Sequence, residues 1–300
     1  MAKGIYIGVG GSAKKVKQVY VGVGGVAKKV KRAFIGGSDG KAHLWLGDRI
    51  LNEYSWEEIS QISAKGEAAN YFSVGDRKLI TLNGTVGGYT LANYQTYATI
   101  IGINHNASVE GGNRIHFQIG NTELTGGTQI CLVDSYYNTA NASATLRMNE
   151  TAVNAGGWKS SAMRTEVCAE FKSVLPSDLK SVLKTVTKYT DNGGNASYAA
   201  TNVTATEEEI FLLAEFEVWG KTTYGHPSES AKQLQYAYYA PLANSDRIRY
   251  RSSNTNSTAT WWLRSTYRDN KTGFLRVGVS GQPAIESANM SQGFAPVFCV

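Results

Sequence analysis

Apolar and polar positions first alternate in short blocks. Residues 5–18 read IYIGVGGSAKKVKQ and residues 19–32 read VYVGVGGVAKKVKR, one 14-residue pattern written twice. A weaker third copy starts at Ala33, reading AFIGGSDGKAHLWL. Each full copy runs from an apolar triplet through Gly-x-Gly-Gly into a lysine-rich stretch. A fixed period sets the fold reading before anything else does, and paired glycines supply the positive φ of tight hairpin turns. The pattern predicts a ribbon of small β-hairpins over residues 1–46. Isolated hairpins are marginal in water, so the ribbon calls for a partner, either copies of itself or a socket in a larger assembly.

After Trp45 the texture changes, and residues 47–300 read as one further domain. Ser55 followed by Glu58 makes a capping box ahead of a helix with Trp56, Ile59 and Ile62 facing inward. Residues 78–82 predict a strand that turns at Asn83-Gly84, and residues 98–103 and 115–119 predict two more. Met163, Val167, Phe171 and Val174 recur at helical spacing, so residues 159–175 predict a helix that Pro176 stops. Residues 182–189 alternate as a strand, 191–206 form a loop, 209–216 read as a buried strand, and 230–238 as a short helix presenting Ala231, Leu234 and Tyr238. At the C-terminus, residues 259–264 (ATWWLR), 273–279 and 294–300 predict three or four antiparallel strands. Leu275, Val277 and Val279 share one face, and Trp261 and Trp262 point to opposite faces.

Charge sharpens the division. The net charge of the 300-residue chain is +6, yet residues 1–32 carry eight basic side chains (Lys3, Lys14, Lys15, Lys17, Lys28, Lys29, Lys31, Arg32) and no acidic one. The remainder holds 22 basic against 24 acidic residues. A basic strip meets acidic partners or keeps strand edges from aggregating, and no base-reading module accompanies it, so nucleic acid is not an expected partner. Gly8-x-Gly10-x-x-Ala13 imitates a dinucleotide fingerprint, but the second repeat begins before any helix could finish and the first acidic residue is Asp39. No cofactor is expected. The N-terminal residues lack the apolar core of a signal peptide, and no apolar run approaches membrane-spanning length.

Catalytic signatures are missing. His43, His105, His116 and His226 are scattered, Cys131, Cys168 and Cys299 are far apart, and no metal-binding or nucleophile-elbow spacing occurs. The acidic runs Glu57-Glu58 and Glu207-Glu208-Glu209 read as helix starts or solvated faces. The chain therefore reads as a non-enzyme with no catalytic or metal site, although a hydrolase with two distant carboxylates would leave no motif. Trp158, Trp261, Trp262 and Arg264 read as a structural core motif, Arg264 pairing with a buried carboxylate or backbone carbonyls. Ligand contacts are expected from the loops beside them: Tyr267, Arg268 and Asn270, then Gln282, Asn289 and Gln292.

The repeat resembles the IGVGGVA(K/R)KVK segments near the N-termini of tail proteins of phages that infect Gram-positive bacteria. The body resembles a phage and Firmicute domain family with a WWLRS strand and a GVRPAF-like ending. The matching pieces are Trp261-Trp262-Leu263-Arg264-Ser265, Gly293-Phe294-x-Pro296-Val297-Phe298, Asn154-Ala155-Gly156-Gly157-Trp158 and Phe211-Leu212-Leu213-x-x-x-Glu217. Ala295 stands where that family carries arginine. The resemblance implies an α+β fold of C-type lectin type behind the hairpin segment. It also implies a structural tail component, a tail-fibre or baseplate-associated receptor-binding protein, assembled in the bacterial cytoplasm and carried in the virion. Its expected partners are other tail or baseplate proteins through residues 1–46, further copies of itself (a trimer is favoured), and a host cell-surface glycan or protein. A tail or capsid decoration protein without a ligand is the alternative.

Overall fold

The computed structural model describes residues 6–15, 19–30, 33–36, 40, 42–46 and 49–300. Lys3, Lys17, Lys31 and Arg32 of the basic strip, and Asp39, lie outside the described residues. The chain divides into a unit Met1–Tyr54 and a unit Ser55–Val300.

In the first unit, β1 (Tyr6–Val9) pairs with β2 (Ser12–Lys15), β3 (Tyr20–Val23) with β4 (Val26–Lys29), and β5 (Ala33–Gly36) with β6 (Ala42–Leu46), all antiparallel. The first two hairpins share one register: Tyr6 faces Lys15 as Tyr20 faces Lys29. Their turn residues Gly10, Gly11, Gly24 and Gly25 all have φ between 60° and 77°, which explains the repeated glycine pair. The β3–β4 hairpin leaves Tyr20, Val21, Val23 and Val26 between 49% and 61% exposed.

The second unit is α+β. Its strands are β7 (Arg77–Val86), β8 (Tyr89–Ile103), β9 (Ile115–Ile119), β10 (Ile130–Cys131), β11 (Val186–Asp191), β12 (Val203–Glu208) and β13 (Ile210–Phe211), followed by β14 (Arg249–Arg251), β15 (Asn254–Ala259), β16 (Trp261–Thr266), β17 (Gly273–Val277), β18 (Pro283–Ser287) and β19 (Val297–Cys299). An antiparallel sheet runs β13-β19-β9-β8-β7. A second antiparallel sheet runs β16-β17-β18. β10, β14 and β15 form a third sheet, with β10 and β14 parallel, and β11 pairs with β12 alone. Every residue of β16 is buried, so this strand is covered on both faces. Trp261 and Trp262 are both fully buried, and their indole N–H groups donate to the carbonyls of Arg247 and Leu146, each at 3.1 Å.

Several predicted elements change on folding. Ser55 and Glu58 cap the helix Trp56–Ala64 reciprocally, but its third inward residue is Ser63, not Ile62. The Ser63 hydroxyl donates to the carbonyls of Asn113 and Val300. At Asn83-Gly84 the strand bulges instead of turning, and the chain reverses at Gly87-Gly88, where both residues have positive φ. The helix predicted over 159–175 starts earlier, at Gly157, breaks at the extended Ser161, and resumes as a π-turn Met163–Val167 and a helix Cys168–Val174. β11 starts only at Val186, because the Lys184 N–H goes to the Cys299 carbonyl, and the loop after it ends where β12 begins.

Residues 209–216 split: β13 lasts two residues, and Glu217 caps the helix Glu215–Trp219 by accepting the Ala214 N–H. In place of a helix over 230–238 there is a 3-10 turn Pro227–Ala231; beyond it the N–H groups of Tyr236 and Tyr238 bond to Glu217 and Ile101 carbonyls, leaving Leu234 exposed. β17 stops at Val277, so Val279 is exposed, and β19 joins the larger sheet rather than the WWLRS sheet. Ala295 is buried, and its carbonyl accepts from the Gln118 amide.

Trp262→Ala removes a fully buried indole and one of the two donors to the Leu146 carbonyl, which keeps the Gln292 N–H. It is expected to destabilise the chain by about 3–5 kcal/mol in urea unfolding; a loss below about 1 kcal/mol is incompatible with core packing at this site.

Candidate functional site

Four buried charged side chains meet at the centre of the second unit. Arg264, on β16, grips Glu217 with two parallel bonds of 2.5 and 2.8 Å. It also donates to the Thr190 hydroxyl and the Leu212 carbonyl, each at 2.7 Å. Lys188, on β11, donates to Glu110 at 2.6 Å, to Glu217 at 3.0 Å and to the Tyr236 hydroxyl at 2.9 Å. Two cations balance two carboxylates with water excluded, the arrangement a buried charge needs. Burial raises the carboxyl of Glu217, but Arg264 and Lys188 outweigh it and hold the group ionised. Glu110 is pushed up by burial, and Lys188 offsets only part of that.

Two histidines scattered in the sequence come together here. His105 stacks on Tyr236 with ring centroids 3.6 Å apart, and His116 Nδ1 lies 2.9 Å from the Tyr236 hydroxyl and 3.3 Å from Cys299 Sγ. Burial, then Lys188, lowers His105 to about 3 and His116 well below its ordinary value, so both rings are neutral. Burial also pushes the Cys299 thiol up, away from the thiolate a nucleophile requires. His105, Glu110 and Glu217 present ligand atoms within 4.8 Å of one another. The Lys188 ammonium already bridges the two carboxylates, and a divalent ion would unbalance a neutral quartet. The group reads as an internal ion-pair network.

The network continues to the surface. Next to Arg264, the Ser265 hydroxyl donates to Glu229 at 2.8 Å and accepts the Glu215 N–H. Next to Thr190, Asp191 accepts the Thr266 hydroxyl at 2.5 Å and the N–H groups of Gly193 and Gly194. Glu215 accepts the N–H groups of Thr223, Tyr224 and Gly225. The buried Asn154 amide donates to the carbonyls of Tyr267, Asn270 and Gly273, and its oxygen accepts the Asn195 N–H. The Arg268 N–H donates to the Tyr224 carbonyl. Three loops are thereby fixed side by side, carrying Tyr198, Tyr224 and the stretch from Tyr267 to Asn270. The Tyr224 and Tyr267 rings meet edge to face at 6.2 Å, the Tyr198 hydroxyl bonds to Asp269, and His226 lies buried beside the Tyr198 ring.

The residues predicted from sequence fall into distinct places. Tyr267, Arg268 and Asn270 lie half-buried in this surface. Asn270 accepts the N–H groups of Thr272 and Gly273 and so shapes its own turn. Asn289 is half-buried just beyond Ala288, whose N–H reaches Thr272 at the same end of the β17–β18 hairpin. Gln282 is exposed at the opposite end, past the Val277–Pro283 pair. Gln292 is fully buried and bonded to Thr260, Asn138 and Arg276, so it is a structural residue and not a ligand contact. Trp158 is fully buried and donates to Glu208, which also takes Arg164 at 2.7 Å; Glu208 is therefore an internal anchor rather than part of a solvated acidic run. Tyr198, Tyr224 and Glu215 carry no motif, and Asn154 stands only at the head of the Asn154–Trp158 piece, with nothing there to mark its role as an anchor. The one readable signal was the pair of acids inside the apolar run Phe211–Trp219, since charges in such a run must find partners on folding.

Residues 129–300 match the family described as Domain of unknown function (DUF6273). No curated protein and no solved structure matches the chain.

Two outcomes test the network. Glu217→Gln leaves Arg264 and Lys188 under-compensated and is expected to cost about 3–5 kcal/mol of unfolding free energy. Burial raises Glu229 from 4.5 to about 7. Its contribution to stability is therefore full below the unfolded-state value and fades as pH rises through about 7. The stability advantage of the natural chain over Glu229→Gln should shrink by on the order of 2–3 kcal/mol between pH 4.5 and 8; a pH-independent difference in paired urea titrations would sink this assignment.

Proposed function

We propose that this chain, which belongs to the DUF6273 family, is a non-enzymatic attachment component of a phage tail or phage-like particle, docked by its hairpin ribbon and binding the host surface through a C-type lectin-like unit. The observation that carries the binding half is the surface of Tyr198, Tyr224, Tyr267 and Arg268. Its loops are held from beneath by buried carboxylates and one buried amide, with Asn270 adding bonds within its own turn. A surface fixed before binding loses little entropy on contact, and tyrosines give large contact area with few rotatable bonds.

The docking half is supported by the repeated hairpins. Their register is copied between repeats, and an exposed valine face beside lysines suits an apolar socket with an acidic rim. Several copies on one particle would convert weak single contacts into firm attachment, and a trimer fits that arrangement. The molecule would be assembled in the bacterial cytoplasm and end in the virion.

The test uses the full chain on intact host cells. The double variant Tyr224→Ala with Tyr267→Ala is expected to weaken cell binding at least about tenfold, the loss of one or two contacts worth about 1.4 kcal/mol together, with thermal unfolding near that of the natural chain. Absence of cell binding by the natural chain favours a decoration protein without a ligand, undiminished binding by the double variant overturns the assignment to this surface, and release of soluble sugar from cell walls favours a hydrolase.

A further inference from the structure

A separate cleft opens at the tip of the β7–β8 hairpin. Its volume is about 330 Å³, and it is lined by Gly87, Gly88, Tyr89, Asp134, Tyr136 and Ser143, among others. That is the low end of the range for small-molecule sites, about 300–1,000 Å³, and suits one ring-sized ligand better than a chain.

The lining defines what fits. Among the described residues lining it, none is lysine, arginine or histidine. Its one carboxylate, Asp134, already accepts the N–H groups of Tyr136, Thr145 and Leu146 at 2.8–3.1 Å and the Ser291 hydroxyl at 2.7 Å. It has little capacity left for a cationic ligand. Ser135, Ser143 and Ser253 also line the cleft and are exposed, offering hydroxyls to an occupant. The Tyr89 and Tyr136 side chains, both half-buried, add aromatic wall.

The cleft is also stiff. The Gly87 N–H donates to Glu170 at 2.6 Å, and the Thr145 hydroxyl donates to the Gly87 carbonyl. A Cβ on Gly87 would stand 2.6 Å from the Leu146 side chain, so only glycine lets the hairpin tip lie this close to the floor.

We propose that this cleft binds a single neutral sugar ring, with its C–H face on the tyrosines and its hydroxyls on the serines. The lack of a cationic side chain among the described lining residues disfavours phosphorylated and acidic sugars, because nothing there compensates an anion beside Asp134. This site is distinct from the Tyr198–Tyr224–Tyr267 surface and stands whether or not that surface binds cells.

Titration of the full chain with methyl glucoside and N-acetylglucosamine, with glucuronate and glucose 6-phosphate as charged counterparts, tests it. At least one neutral sugar should bind saturably with Kd on the order of 1 mM, as expected for a ligand of this size. Ser143→Trp and Ser135→Trp, both at exposed rim positions, should each weaken it more than tenfold with an unchanged melting temperature. The Tyr224→Ala/Tyr267→Ala variant should bind as the natural chain does. The assignment is overturned if neither neutral sugar saturates in the millimolar range. Equal or better binding of a charged sugar overturns it too, as does binding that survives both tryptophan variants or disappears with the two tyrosines.

Discussion

Arg264 and Lys188 are buried beyond the reach of water, and the unit Ser55–Val300 can fold only where their charges are answered. Removing an ion from water costs several kcal/mol, and attraction to a partner offsets that only with near-ideal geometry and no bond left unmade. Glu217 meets the requirement for both cations at once. Glu110 comes from the turn after β8, Lys188 from β11, Glu217 from a helix and Arg264 from β16, so four stretches distant in sequence must arrive together. Any one arriving alone would carry an unpaired buried charge. The network thus favours cooperative assembly more than it adds net stability.

The same constraint explains the surface above it. Arg264 is followed by Ser265 and Thr266, Thr190 by Asp191, and Glu215 lies two residues before Glu217. Three of the four elements that carry a member of the quartet, those of Arg264, Lys188 and Glu217, also carry the next hydrogen-bonding side chain outward. Order at the ion pairs is handed on through Glu229, Asp191 and Glu215 to the backbone of the loops.

Much of the architecture was legible because it follows from local rules. The hairpin repeat, the Ser55–Glu58 capping box, the inward residues Met163, Val167, Phe171 and Val174, and the burial of Trp261 and Trp262 all rest on periodicity or turn chemistry. What was not legible depends on partners remote in sequence. Residues 209–216 look like a strand until Glu217 turns to cap a helix and meet Arg264. Gln292 looks like a loop residue until Thr260 and Asn138 enclose it. Asn83-Gly84 carries a strong short turn signal, yet Gly87-Gly88 makes the turn. Tyr198 and Tyr224 could not be grouped with Tyr267 from the sequence, because only folding sets their loops beside it.

The Asn154 amide has an evolutionary consequence. It fixes the 267–273 loop by three backbone carbonyls, none of which depends on which side chain follows. Positions 268, 269, 271 and 272 can therefore be exchanged with little penalty to the fold, whereas Asn154 itself cannot. Selection acting on such a chain would find variation concentrated at the loop tip and invariance at its hidden anchor, so the exposed side chains could be rewritten repeatedly on a scaffold that stays the same.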